Sequence, residues 1–167
     1  MPKAKKKPKG RWPNGYASFV KKVQANAELL LTGRFVAIDP ASGGTSMPGY
    51  SVYQATQRVE GGVLQVNSAL SPELRLAELY DLMAEAFKDV DLVVIEELKG
   101  SMVRPTLHWS VGVAVTAIRK PYIQVPINYW KALAKETEGY EKADDADADM
   151  IGQTVIELAR EKQKLIC

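Results

Sequence analysis

Four acidic residues, Asp39, Glu96, Asp144 and Asp147, stand where their carboxylates could act together. Asp39 ends the apolar run Phe35-Val-Ala-Ile38 and is stopped by Pro40; Glu96 ends a second run, Asp91-Leu-Val-Val-Ile95. Short β-branched runs bounded by turn residues read as buried strands. Each acid would therefore sit at a strand mouth, where open α/β sheets place their sites. Asp144 and Asp147 are three apart at the start of a helical pattern and project from one face of its first turn. Acids there favour the helix dipole, but four Asp within residues 144–149 exceed what capping requires. Like charges so close repel unless a cation or solvent compensates. An all-oxygen donor set suits Mg2+ or Mn2+. Two such ions can activate a water and stabilise the leaving oxygen in phosphodiester cleavage.

A polyanionic substrate is indicated separately by the charge distribution. The net charge is +2, yet residues 1–22 carry eight Lys and Arg and no acid, leaving a net of −6 on the remainder. A basic arm on an acidic body points to a partner such as nucleic acid. The only cysteine is Cys167, which excludes an intrachain disulfide and a cysteine zinc cluster and suits a reducing, cytoplasmic setting. No apolar run approaches the roughly 18 residues of a membrane span, so no membrane partner is expected.

The elements that must position these acids follow from periodicity. Residues 1–15 have no apolar period and read as a disordered basic arm. Tyr16 to about Leu31 reads as one accessory helix ended by Gly33 as C-cap. After the strand ending at Asp39 come a glycine- and serine-rich loop, a strand over Tyr50–Ala55, a Gly61-Gly62 turn and a strand over Gly62–Asn67. Ser71 caps a helix to about Lys88, with Pro72 at its first position. A helix over Thr106–Arg119 and a strand over Tyr122–Val125 follow the strand ending at Glu96. A short helix around Tyr129–Lys131 and a final helix over Asp144–Lys162 complete an α/β chain with a five-stranded mixed sheet flanked by helices.

Other residues are weaker candidates. Lys99, Arg104, Lys131 and Lys142 lie near the acids and could hold phosphates. Alternation along a strand turns Glu97 away from Glu96, which suits a structural role. Asp145 and Asp149 suit solvated helix charge, although Asp145 competes with Asp144 as a ligand. His108 reads as a helix-surface residue and not as the general base. Trp12 could stack on bases, whereas Trp130 reads as a packing anchor. The small residues Gly112, Ala114 and Ala117 permit close helix approach, within the chain or between two copies.

The order of elements and acids resembles the RNase H-like superfamily, and most closely the RuvC family of Holliday-junction resolvases, phage-type members in particular. The likeness spans about residues 34–160 and rests on Val36-Ala-Ile-Asp39-Pro40-Ala-Ser42, Gly49-Tyr50-Ser-Val52, Val93-Val-Ile-Glu96 and Asp144-Asp-Ala-Asp147-Ala. Val125-Pro126 and Trp130-Lys131 resemble the phage-type variants. The chain departs from the pattern at Ala41, where the family has glycine, in the longer loop to Gly49, and in its N-terminal extension.

The resemblance implies an RNase H-like nuclease domain over 34–167; the arm over 1–15 and the accessory helix over 16–33 that precede it rest on composition and periodicity alone. It implies two Mg2+ ions, replaceable by Mn2+, with Asp39 bridging them and Glu96, Asp144 and Asp147 completing the site. It also implies a homodimer whose two-fold symmetry matches a four-way junction, and host cytoplasm as the compartment if the source is a phage. The expected activity is resolution of Holliday junctions and other branched DNA by paired hydrolysis. Two alternatives are a broader branched-DNA or RNA–DNA hybrid nuclease, and a non-catalytic junction-binding module for packaging or recombination.

Overall fold

The computed structural model describes Trp12, residues 16–99 and residues 103–164, without the side chains of Asp144 and Lys164. Most of the basic arm therefore lies outside the described residues. In chain order the elements are α1 (Ala17–Ala25), α2 (Ala27–Thr32), β1 (Arg34–Asp39), β2 (Gly49–Gln54), β3 (Gln57–Val63), α3 (Pro72–Ala86), β4 (Leu92–Glu97), α4 (Pro105–Ile118), β5 (Tyr122–Pro126), α5 (Ile127–Glu136) and α6 (Asp144–Lys164).

The five strands form one sheet in the order β3-β2-β1-β4-β5. β1 pairs antiparallel with β2 and parallel with β4, and β4 pairs parallel with β5. Both core strands are apolar on both faces, as a sheet covered on two sides requires. Phe35, Ala37, Leu92 and Val94 enter a cluster with α1, α2, α5 and α6. The intervening Val36, Ile38, Val93 and Ile95 enter a second cluster with α3 and α4. The fold is thus the expected five-stranded mixed sheet between helical layers.

Four local expectations change. The accessory helix is two helices, broken at Asn26, whose side-chain amide donates to the Lys22 carbonyl oxygen at 2.9 Å. Gly33 does cap α2, but in an extended conformation (φ −93°, ψ −166°), not a left-handed one. Ser71 occupies the N-cap of α3 without a side-chain capping hydrogen bond. Most substantially, the third strand is Gln57–Val63, not Gly62–Asn67. As an edge strand it carries mostly exposed polar residues and needs no apolar alternation. Leu64 and Val66 are buried as irregular chain against the α3 side of the sheet. The turn between β2 and β3 is accordingly Ala55-Thr56, with φ of +48° and +70°.

α6 is fixed against the sheet by Tyr53. The Tyr53 ring stacks on Phe35 (centroids 4.9 Å apart, 14° between planes) and its hydroxyl donates to Asp149, one turn inside α6. Gly152 lies over that ring, where any Cβ would overlap it. The missing side chain is what lets α6 lie close across β2 and β1.

Candidate functional site

The strand register brings Asp39 and Glu96 side by side. β1 and β4 pair Val36 with Val93, Ala37 with Val94 and Ile38 with Ile95, so the next step of the same register holds Asp39 and Glu96. Alternation puts them on the face of Phe35, Ala37, Leu92 and Val94, which is the face α5 and α6 cover. The first turns of α6 are held over that face by the Tyr53–Asp149 contact, and the Asp147 backbone N–H closes the first helical turn on the Ala143 carbonyl oxygen at 2.8 Å.

Asp147 is 6% exposed. A carboxylate that buried needs compensation, and the phenol of Tyr140 supplies it by donating to Asp147 Oδ1. Burial raises the Tyr140 pKa, as do that hydrogen bond and the charges of Asp147 and Asp39. Both aspartates therefore act on one hydroxyl. The Glu96 carboxyl is also raised above the usual range, chiefly by burial and further by the charge of Asp147, while Trp130 and Lys131 pull it down. The indole Nε1 of Trp130 is buried and makes no well-formed hydrogen bond; its dipole favours ionised Glu96 without satisfying the N–H.

Asp39, Glu96 and Asp147 are thus linked, Glu96 directly to Asp147 and Asp39 to Asp147 through Tyr140. The Asp144 side chain lies outside the described residues. Among the described residues, no three acidic, histidine or cysteine side chains already converge as a ligand set. The donors are all oxygens, Asp147 buried and Asp39 and Glu96 partly so, and their mutual repulsion is what a hard divalent cation relieves. The donor set fits such an ion.

The surrounding residues divide. Lys131 reaches the site electrostatically through Glu96, with its Nζ 5.8 Å from the Trp130 ring centroid. Lys99 instead pairs with Glu97 at 2.9 Å and lies 5.7 Å from the Tyr16 ring centroid. Lys142 is exposed beside Tyr140, and Arg104 is exposed at the N-cap of α4. Glu97 is the ion-pair partner of Lys99. A cleft beyond the ends of β4 and β5, lined by Glu96, Glu97, Lys99, Val103, Pro126 and Ile127, opens onto Glu96.

Asp149 is not the solvated charge expected of it, since it accepts from Tyr53 and lies 4.0 Å from Arg58. Asp145 accepts from the Ala146 backbone N–H at 3.0 Å. Trp12 packs within the molecule, stacked on Tyr129 (centroids 5.7 Å apart) with its indole N–H donating to Glu161 at 2.6 Å. It is a tether for the arm. His108 is on the helix surface, away from the acids, and Trp130 is a packing anchor. Ala114 packs inside the chain, whereas Gly112 faces open space. Tyr140 was not legible as a site residue, because it stands in a polar connection with no periodicity.

No protein-family model matches the chain, and no curated protein matches its sequence significantly. Solved structures do match its fold. Thermus thermophilus RuvC in complex with a Holliday junction substrate aligns with a TM-score of 0.59 and 14% identity, covering 78% of this chain and 96% of that one. A second Thermus thermophilus RuvC structure aligns with a TM-score of 0.57 and 12% identity over the same shares. The chain therefore has a RuvC-like fold. No helix among the described residues is long and apolar enough to cross a membrane.

Proposed function

We propose that this chain is a divalent-metal-dependent DNA endonuclease that resolves four-way junctions and related branched DNA. The observation that carries the proposal is the position of Asp39 and Glu96, each one residue past the last pair of adjacent parallel strands, with buried Asp147 on α6 acting electrostatically on Glu96. In a RuvC-like fold, that set of acids supports the reading of an RNase H-like nuclease, and the resemblance of Val125-Pro126 and Trp130-Lys131 is what favours the phage type.

Asp39, Glu96, Asp147 and Asp144 would hold the metal, Mg2+ or in its place Mn2+. Metal held there would supply a nucleophilic water and charge stabilisation for hydrolysis of a phosphodiester. The protein's part is positional. β1 and β4 fix two carboxylates on rigid backbone, and α6 holds the third at a depth set by Tyr53 and Gly152. Trp130 and Lys131 both favour the ionised form of Glu96, Lys131 by offsetting part of the negative charge. Lys99, Arg104, Lys131 and Lys142 would contact DNA phosphates, as would the basic arm. Residues 1–15 would serve as that arm, 16–33 as an accessory layer and 34–167 as the nuclease domain. A homodimer would set two sites on a junction and yield paired cuts.

The test is a substrate panel of a four-way junction, a flap, a linear duplex and an RNA–DNA hybrid, with and without Mg2+. Mg2+-dependent cleavage of branched DNA, lost in Asp39→Asn with junction binding retained, is the expected result. Preference for the hybrid would redirect the reading to a hybrid nuclease. Absence of cleavage on every substrate would leave a binding module.

A further inference from the structure

Beside the acidic cluster, a groove of about 260 Å³ is lined by Trp130, Lys131, Ala134, Lys135, Tyr140 and Lys142. Its floor is apolar: Trp130 and Ala134 are 4% and 7% exposed. Its rim is cationic. Lys131 and Lys135 are one turn apart on α5 and therefore share a face, Lys142 rises from the segment leading into α6, and all three are exposed. Among the described residues, no carboxylate lines it. The Tyr140 ring forms one wall and is held by the hydrogen bond of its hydroxyl to Asp147, so groove and acidic cluster share a side chain.

That combination selects its ligand. The groove is smaller than the roughly 300–1,000 Å³ of small-molecule pockets and suits one planar group. Proteins that hold single strands pair aromatic surfaces for bases with cations for the backbone. Bases inside a duplex are stacked and cannot enter a pocket unless extruded. An acidic peptide would meet the lysines but leave the ring-lined floor unfilled. We propose that this groove binds one unpaired nucleotide of a DNA strand, its base against Tyr140 and the Trp130–Ala134 floor and its flanking phosphates on Lys131, Lys135 and Lys142. The inference rests on the nuclease reading for what it adds: an unpaired nucleotide at a branch point, held here, would lead the adjoining phosphate toward Asp39, Glu96 and Asp147.

The test uses the full chain in EDTA, so that binding is read without cleavage. A decathymidylate carrying 5-iodouracil is photocrosslinked and the adduct mapped by mass spectrometry, with attachment expected at Tyr140 or Trp130. Lys135→Glu and Lys142→Glu should each weaken decathymidylate binding about tenfold at low salt, and each lysine removed should flatten the log–log salt dependence by about 0.7. Unchanged melting temperatures and circular dichroism would show that these variants fold.

Adducts confined to other residues, or full affinity in both variants, would overturn the proposal. So would competition by decaglutamate as effective as by unlabelled decathymidylate. The nuclease reading is scored separately on the wild-type protein with Mg2+. Cleaved junctions without groove adducts would sink the groove alone, and groove adducts without cleavage of any branched DNA would sink the nuclease reading alone.

Discussion

On the face covered by α3 and α4, the strands give Val36, Ile38, Val93 and Ile95 to a cluster with Leu79, Met83 and Phe87. On the face covered by α5 and α6 the same strands give Phe35, Ala37, Leu92 and Val94, and then Asp39 and Glu96 at their ends. The first face is hydrocarbon along the strand interiors, with Glu97 only at the end of β4 and the buried Ser110 hydroxyl satisfied within α4. The second must compensate buried polar groups, and it does so with Tyr53 on Asp149, Tyr140 on Asp147 and Lys131 near Glu96. If the acids serve the proposed chemistry, the two faces should answer to mutation with opposite profiles.

The sharpest contrast pairs Asp39→Asn with Leu79→Ala. Asp39→Asn removes one of several mutually repelling acids; cleavage of a four-way junction should fall below detection and Mg2+ binding by calorimetry should weaken, with little change in melting. Leu79 is fully buried in α3, and its truncation should cost about 2–5 kcal/mol while Mg2+ affinity of the folded protein stays the same. If Leu79→Ala lowered metal affinity as much as Asp39→Asn, the division between the faces would be false.

Gly152→Ala tests how the chemical face is held in register. Its Cβ would overlap the Tyr53 ring, which is locked between Phe35 and Asp149 and cannot yield easily. Overpacking of this kind costs about 1–3 kcal/mol, and lifting α6 should also move Asp147. Gly152→Ala should therefore lose both stability and Mg2+ affinity, where Leu79→Ala loses only the first. Full metal affinity in folded Gly152→Ala would show that Asp147 is positioned by something other than the depth of α6.

The pH dependence of the metal-free protein separates the faces more gently. Burial raises the Glu96 carboxyl above its ordinary 4.5, so between that value and the folded one the native state binds more protons than the unfolded state. Stability then falls as pH rises through that window. Urea midpoints across this range should decline in wild type, decline less in Glu96→Gln, and recover on adding Mg2+. The cluster under α3 and α4 holds no carboxylate and contributes nothing to this slope. An equal decline in Glu96→Gln would remove Glu96 as its source.

The core of the fold was legible because β1 and β4 are uninterrupted apolar runs, and such runs in an α/β chain have few places to go. The same runs pointed to Asp39 and Glu96, since a strand that ends on a carboxylate announces where its side chain emerges. Elements whose roles come from neighbours were not legible. β3 is polar because it is an edge, while Leu64 and Val66 mimic a strand because the α3 layer buries them. Tyr140 and the Tyr53–Gly152–Asp149 lock are long-range contacts between residues unremarkable in their own segments. Trp12 looked available for stacking on bases because nothing local shows that Tyr129 and Glu161 receive it.

A control outside both faces is the hairpin between β2 and β3. Its two-residue turn puts Ala55 and Thr56 at φ of +48° and +70°, and the Gln54–Gln57 pair closes it. Left-handed backbone costs an ordinary residue about 1–2 kcal/mol, and a branched side chain such as Thr56 fits there badly. Glycine escapes that cost but loses about 0.5–1 kcal/mol to its greater freedom when unfolded, so Thr56→Gly should gain about 1 kcal/mol or slightly less. Asparagine before glycine is the favoured pair for this turn, and Ala55→Asn should add a few tenths more. Neither change touches the acids, so a melting temperature raised by a few degrees with unchanged Mg2+ affinity is expected. A gain in stability accompanied by lost metal binding would mean that the Ala55 contact to the Gly33 carbonyl, 3.0 Å long, helps set the position of β1 and with it Asp39.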